Sequence, residues 1–333
     1  MSTSRSILTL RRAAVSSRAC GPCRRQLVFL AFTALVGLVG ICITTPIQAQ
    51  DPPEYPIFGL QFSPDGKYLA ASSNSNEPPG PVVIWNVDDW TVHRMHRSTK
   101  GIIDVDFAPD GTQLAYACKS ESVGVLDVAT GDLVREINAK SGVVYSVAFT
   151  PDGKFLVSGG VEPPIKLWNV STGELVRTFE DHAETVDSVA VSPDARTLLS
   201  GGNDRKARLW NFESGEVTKR FTPTGSIVRR VTFSRDGKYS LVSSWGGDVW
   251  IRETATGRLR ALLKGGSDCA DMTADNRLVA TSGWGTIAHV FALLLHDPAP
   301  HEQQRIASLI ERFEDESYDV RESAAEEIVR IGL

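Results

Sequence analysis

Five copies of one phrase set the period of this chain. A hydrophobic residue or two leads into Ser, Ala or Thr, then a Pro-Asp-Gly turn or a close variant of it, then a largely apolar run. The copies read LQFSPDGKYLAAS from Leu60, VDFAPDGTQLAYA from Val105, VAFTPDGKFLVSG from Val147, VAVSPDARTLLSG from Val189 and VTFSRDGKYSLVS from Val231. Phe62, Phe107, Phe149, Val191 and Phe233 hold the same place in successive copies, 45, 42, 42 and 42 residues apart. A fixed period of about 40–45 residues means a series of like units packed side by side, each too small to bury its own apolar faces.

The phrase is a hairpin. In Ser63-Pro64-Asp65-Gly66, Pro presets φ at the second place of a type I turn, and Asp and Gly suit the third and fourth. The flanks alternate, so that Val143, Tyr145, Val147 and Phe149 are expected on one face. A third strand follows, ending at Trp85, Trp168 or Trp210 in three units. A turn at Gly131, Gly173, Gly215 or Gly257 then leads to a fourth strand such as ELVRTF from Glu174. Four antiparallel strands per unit make one blade of a β-propeller. A sixth, degraded copy runs from Ala270 to Phe291, with Asp275-Asn276 at the turn. The expected fold is all-β, a propeller of six recognisable blades over residues 57–296. Its ring closes with six, or a partner or a cryptic segment completes it.

These residues resemble the WD40 repeat family over about 240 residues. The name-giving Trp-Asp is Trp-Asn in three units, Leu126-Asp127 stands there in the second, and Arg252 takes the Trp place in the fifth. The resemblance implies a structural tetrad of Asp, His, Ser and Trp, and only the fourth unit carries it complete: Asp204, His182, Ser200 and Trp210. A buried Trp N–H needs an acceptor, which such a network supplies. The trio of Ser, His and Asp therefore reads as scaffold rather than as a catalytic triad.

Before the repeats, residues 1–50 carry six Arg and no acid. Leu27–Ile43 is an unbroken apolar run, and TTPIQAQ offers a cut after Ala49. This pattern is that of a signal peptide over residues 1–49, followed by a linker over 50–56. Left uncleaved, residues 27–43 would anchor the chain in the inner membrane with the propeller outside. Both routes lead to an exported protein of the periplasm or cell envelope. Cys20 and Cys23 match a redox CxxC by letters but lack the βαβ context that tunes a thiolate. Cys118 and Cys269 fall in units that are not neighbours, so they are expected as free thiols. Without the leader, 29 basic residues stand against 40 acidic ones. Such a balance repels phosphate backbones and argues against a nucleic-acid partner.

After Asp297-Pro-Ala-Pro the period changes. Ile306, Leu309, Ile310 and Phe313 recur at helical spacing, and Asp319 to Glu322 forms a capping box before Val320, Ala324, Ile328 and Ile331 line one face. Residues 297–333 resemble a single HEAT-type helical hairpin. A lone unit of this kind docks on the propeller, self-associates or continues in a longer protein. A plain capping pair of helices is the alternative.

Function is expected on the loops of one propeller face. Trp245 and Trp284 hold matching places in the fifth and sixth units, and exposed Trp is enriched at interaction hot spots. Glu162, Arg205 and Arg229 are the candidate polar rim. The leading reading is a non-enzymatic scaffold that binds a protein or peptide, without metal or cofactor. The rival is an exported propeller enzyme, a hydrolase, lactonase-like or quinoprotein-type. The sequence has no HExxH, nucleophile elbow or glycine-rich phosphate loop to support it. A third reading is a fragment of a larger propeller–HEAT protein.

Overall fold

The computed structural model describes residues 57–74, 80–221, 226–263, 269–282 and 289–292. The leader, Trp284 and the tail at 297–333 lie outside them. Within the described residues every regular element is a strand. The first sheet is β1 (Ile57–Phe62), β2 (Tyr68–Ser73), β3 (Pro81–Asn86) and β4 (Val92–Arg97). The second is β5 (Ile102–Phe107), β6 (Gln113–Cys118), β7 (Ser122–Asp127) and β8 (Leu133–Asn138). The third is β9 (Val144–Phe149), β10 (Phe155–Gly160), β11 (Ile165–Asn169) and β12 (Leu175–Phe179). The fourth is β13 (Val186–Val191), β14 (Thr197–Gly202), β15 (Ala207–Asn211) and β16 (Val217–Phe221). The fifth is β17 (Val228–Phe233), β18 (Tyr239–Ser244), β19 (Val249–Glu253) and β20 (Leu259–Leu263). A sixth sheet has three strands among the described residues, β21 (Cys269–Met272), β22 (Leu278–Ser282) and β23 (His289–Ala292). All pairings are antiparallel between chain neighbours, as in a propeller blade.

The turn phrase closes on itself. The Gly66 amide donates to Ser63 O (2.9 Å), Ser63 Oγ donates to Asp65 Oδ1 (2.7 Å), and the Tyr68 amide donates back to Ser63 Oγ (2.9 Å). Gly66 sits at φ +73°, where a side chain is strained, and Ala195 and Asn276 take the same conformation in the fourth and sixth units.

Strict alternation fails in the first strand of the first five units. A bulge separates Ile102 from Asp104, Val186 from Ser188 and Val228 from Arg230, and the same irregularity lies opposite Gly159 and Gly160. One extra residue shifts the pleat. The core face is therefore Val144, Val147 and Phe149, all buried, while Val143 and Tyr145 are only partly covered. The expected face through Val143 and Tyr145 is corrected accordingly.

Each sheet packs its face on the one before. Ile102, Val105 and Phe107 join Ala70, Val82 and Ile84 in one cluster. Val228, Val231 and Phe233 join Leu199, Ala207 and Leu209 in another. Each such Val, Leu, Ile or Phe contributes roughly 1.5–3 kcal/mol by leaving water. Ile57, Leu60 and Phe62 hold the same three places in the first sheet yet stay 47%, 37% and 37% exposed.

The first strands stand side by side, and their free edges would leave amides unpaired. Side chains one repeat earlier supply the acceptors. The Phe107 amide donates to Gln61 Oε1 (2.7 Å), that of Val147 to Asp104 Oδ2 (3.3 Å), and that of Phe149 to Asp106 Oδ2 (2.6 Å). Val189 donates to Ser146 Oγ (3.3 Å) and Val231 to Ser188 Oγ (3.1 Å). Arg230 Nη1 meets Asp104 Oδ1 at 3.0 Å, so the fifth sheet faces the second across a central channel. Burial in the channel wall pushes the pKa of Asp106 up to about 7, against the Phe149 amide and Gln61.

Candidate interaction face

The fourth sheet brings Asp204, His182, Ser200 and Trp210 together. Trp210 Nε1 donates to Ser200 Oγ (2.8 Å), Ser200 Oγ lies 2.7 Å from His182 Nε2, and His182 Nδ1 lies 3.0 Å from Asp204 Oδ2. With Ser200 donating to Nε2, the ring proton belongs on Nδ1, facing Asp204. The sequence reading missed a further member. Arg208 is 2% exposed and reaches Asp204 Oδ2 at 2.7 Å and Asp181 Oδ2 at 2.5 Å. Arg220 Nη2 meets the other Asp181 oxygen at 2.7 Å.

Burial lowers the His182 pKa, so the ring is neutral at pH 7. Burial opposes ionisation of Asp204 too, yet the His182 N–H and the Arg208 guanidinium together hold its pKa at about 2. Hydrogen bonds from Arg220 and Arg208 hold Asp181 well below the usual carboxylate range. The order of Ser, His and Asp is that of a triad, but Ser200 has no exposed surface and its oxygen already accepts from Trp210. No substrate can reach it in this geometry. Among the described residues no three His, Cys, Asp or Glu side chains are grouped as metal ligands.

Asp204 also reaches outward. Its Oδ1 accepts the Lys206 amide (3.1 Å) and so fixes the loop that carries Arg205, which sits at φ +63°. Arg205, Ser226, Ile227 and Trp245 line a cleft of about 300 Å³. Trp245 is 53% exposed. Its backbone is pinned, with its amide donating to Ile227 O (2.8 Å), its carbonyl accepting from Ser226 Oγ, and Gly247 N donating to Ser244 O (3.0 Å). The Arg229 guanidinium lies 4.8 Å from the centre of the indole ring. Arg229 Nη1 is 3.6 Å from Asp187 Oδ1, while Asp187 Oδ2 is buried with no hydrogen-bond partner. Burial raises the Asp187 pKa to about 6, partly offset by Arg229.

Two of the three expected rim residues thus lie beside Trp245: Arg205 across the cleft and Arg229 over the indole. Glu162 lies elsewhere, exposed on the loop between β10 and β11 with its amide bonded to Ser141 O (3.0 Å), and does not line the cleft. Trp284 is outside the described residues. Asp187 was missed, although it stands 42 residues before Arg229, in the same place of the repeat.

The family model for the WD domain, G-beta repeat, matches residues 42–76, 131–169 and 173–211. These three segments match WD40 repeats. A stretch of 94 residues is 30% identical to the U5 small nuclear ribonucleoprotein 40 kDa protein of Dictyostelium discoideum, covering 27% of this chain and 25% of that one. The match thus spans about a quarter of the relative's length.

The relative overturns the expected export to a periplasm or cell envelope, since its name places it in a small nuclear ribonucleoprotein. Among the described residues no helix is long and apolar enough to cross a membrane. The matched WD40 segments end at residue 211, and the HEAT-like reading of 297–333 gains no support from them.

Proposed function

We propose that this chain is a non-enzymatic WD40 scaffold that binds a protein or peptide partner on the loop face around Trp245, Arg205 and Arg229. The observation that carries this reading is the half-exposed Trp245, held by its backbone at a cleft beside two arginines. A rigid aromatic in a preformed cleft loses little freedom on binding, which is what makes Trp a hot-spot residue. A relative named for a ribonucleoprotein, itself a multicomponent assembly, fits a scaffold role. His182, Ser200, Asp204 and Trp210 serve in this reading as a structural tetrad that holds the Arg205 loop.

Photo-crosslinking tests the face directly. A photoreactive residue at Asn203, on the loop that carries Arg205, is expected to trap discrete protein adducts in cells. The same residue at Val134, exposed on the outer strand β8, is expected to trap none. Equal adducts from both positions would place the binding surface elsewhere.

A further inference from the structure

Repeats allow each cleft to be compared with its equivalents. Between the third and fourth sheets the places of Arg205 and Trp245 are held by Pro163 and Asn203. Between the second and third they are held by Glu121 and Val161, and Glu121 has the same left-handed backbone as Arg205, φ +64° against +63°. One backbone shape therefore presents an anion in one repeat and a cation in another. Among the described residues, only the cleft between the fourth and fifth sheets joins a cation at this place to an exposed indole.

The charges there do not cancel. Arg229 is matched by Asp187, whose side chain is almost wholly buried. Arg205 is exposed and makes no side-chain ion pair among the described residues, and exposed Lys206 adjoins it. The patch is thus basic on a chain whose formal net charge is −5. A free guanidinium presents a planar fork that fits a carboxylate in two-point contact. The indole beside it offers a flat apolar surface, and Arg229 already covers part of it. A volume of about 300 Å³ admits a side chain or two rather than a folded surface.

We infer that this cleft takes an acidic peptide segment of a partner protein, with an Asp or Glu carboxylate on Arg205 and a neighbouring apolar side chain against Trp245. The inference rests on the scaffold reading above and names the partner's chemistry. The carboxylate supplies direction and the apolar side chain supplies contact area, so neither group alone defines the ligand. Attraction between exposed charges is screened, so binding weakens as salt rises.

A displayed library of random twelve-residue peptides, selected on the purified full chain and counter-selected on Trp245→Ala, tests it. The expected winners are enriched in Asp and Glu next to Leu, Phe or Trp, and bind at least tenfold more weakly to Arg205→Glu. Selection on Arg205→Glu itself is expected to turn the enrichment toward Lys and Arg, a reversal that loss of folding cannot produce. Trp245-dependent winners with neutral or basic sequences would overturn the acidic inference and leave the scaffold reading standing. No Trp245-dependent winners at all would overturn both. A single-stranded RNA oligonucleotide that binds through Arg205, where no peptide does, would assign the patch to phosphate instead and also overturn the inference.

Discussion

The second and fourth sheets solve one packing problem with different chemistry. In the fourth, Trp210 fills the space behind β14 and its N–H is satisfied through Ser200, His182 and Asp204. In the second, Leu126 stands at the Trp place and Tyr116 at the Ser place, both buried. The larger Tyr ring occupies volume that the smaller Leu leaves, and Gly124 opposite makes room for it. A Cβ on Gly124 would lie 2.0 Å from Tyr116 Cζ. Tyr116 Oη reaches His96 Nε2 at 3.3 Å, so in this sheet too the polar tip of the filling side chain has a partner. Blade shape is therefore set by volume and strand register, and the polar network is one of several fillings that fit.

The largest effect expected from this contrast is at Trp210. Trp210→Ala removes the biggest fully buried side chain among the described residues and strands Ser200, so thermal or urea unfolding should show a loss of about 3–5 kcal/mol. Gly124→Ala should cost about 1–3 kcal/mol through overpacking, although it adds a single methyl group. If the pair Gly124→Ala with Tyr116→Ser recovers less than Tyr116→Ser alone allows, then the two positions do not share one volume and the comparison breaks.

Titration sharpens it next. A base whose folded pKa is lowered, as in His182, loses stability as pH falls below its unfolded value near 6.5. A carboxyl whose folded pKa is raised behaves in the opposite sense. Asp106, at about 7, and Asp187, at about 6, add stability below about pH 4 that is lost as pH rises toward 7. Unfolding curves between pH 4 and 8 should therefore steepen toward low pH when Asp106→Asn removes one opposing group. An unchanged profile would mean that Asp106 ionises normally. The smallest effect on stability is expected at the interaction face, where Trp245→Ala should shift unfolding by no more than about 0.5 kcal/mol while abolishing peptide binding.

The repeat phrase and the Trp and Gly signals after it carried the strands and their order within a sheet, because spacing near 42 residues is a direct image of the architecture, whereas the tetrad's grouping came from the resemblance to WD40 repeats. The bulge was not legible, since Val143-Val144-Tyr145 alternates equally well in either register and only packing on the preceding sheet selects Val144. Arg208 was hidden for a similar reason. Its neighbours Asp181 and Asp204 are 27 and 4 residues away, and an Arg in a strand reads as solvated until the fold closes over it. Glu162 and Arg205 looked alike as rim charges, but they sit on different loops, and rim membership depends on which sheet pair a loop overhangs.

The acceptors along the channel have a consequence for ancestry. Each of Asp104, Ser146 and Ser188 serves an amide in the following unit, 43 residues on. A gene segment of one period that is copied in tandem thus brings its own forward acceptor and offers its own amide to the unit behind. The joint on both sides is made of groups already encoded, so an array of this kind can lengthen or shorten by whole units without first acquiring a new residue at the seam.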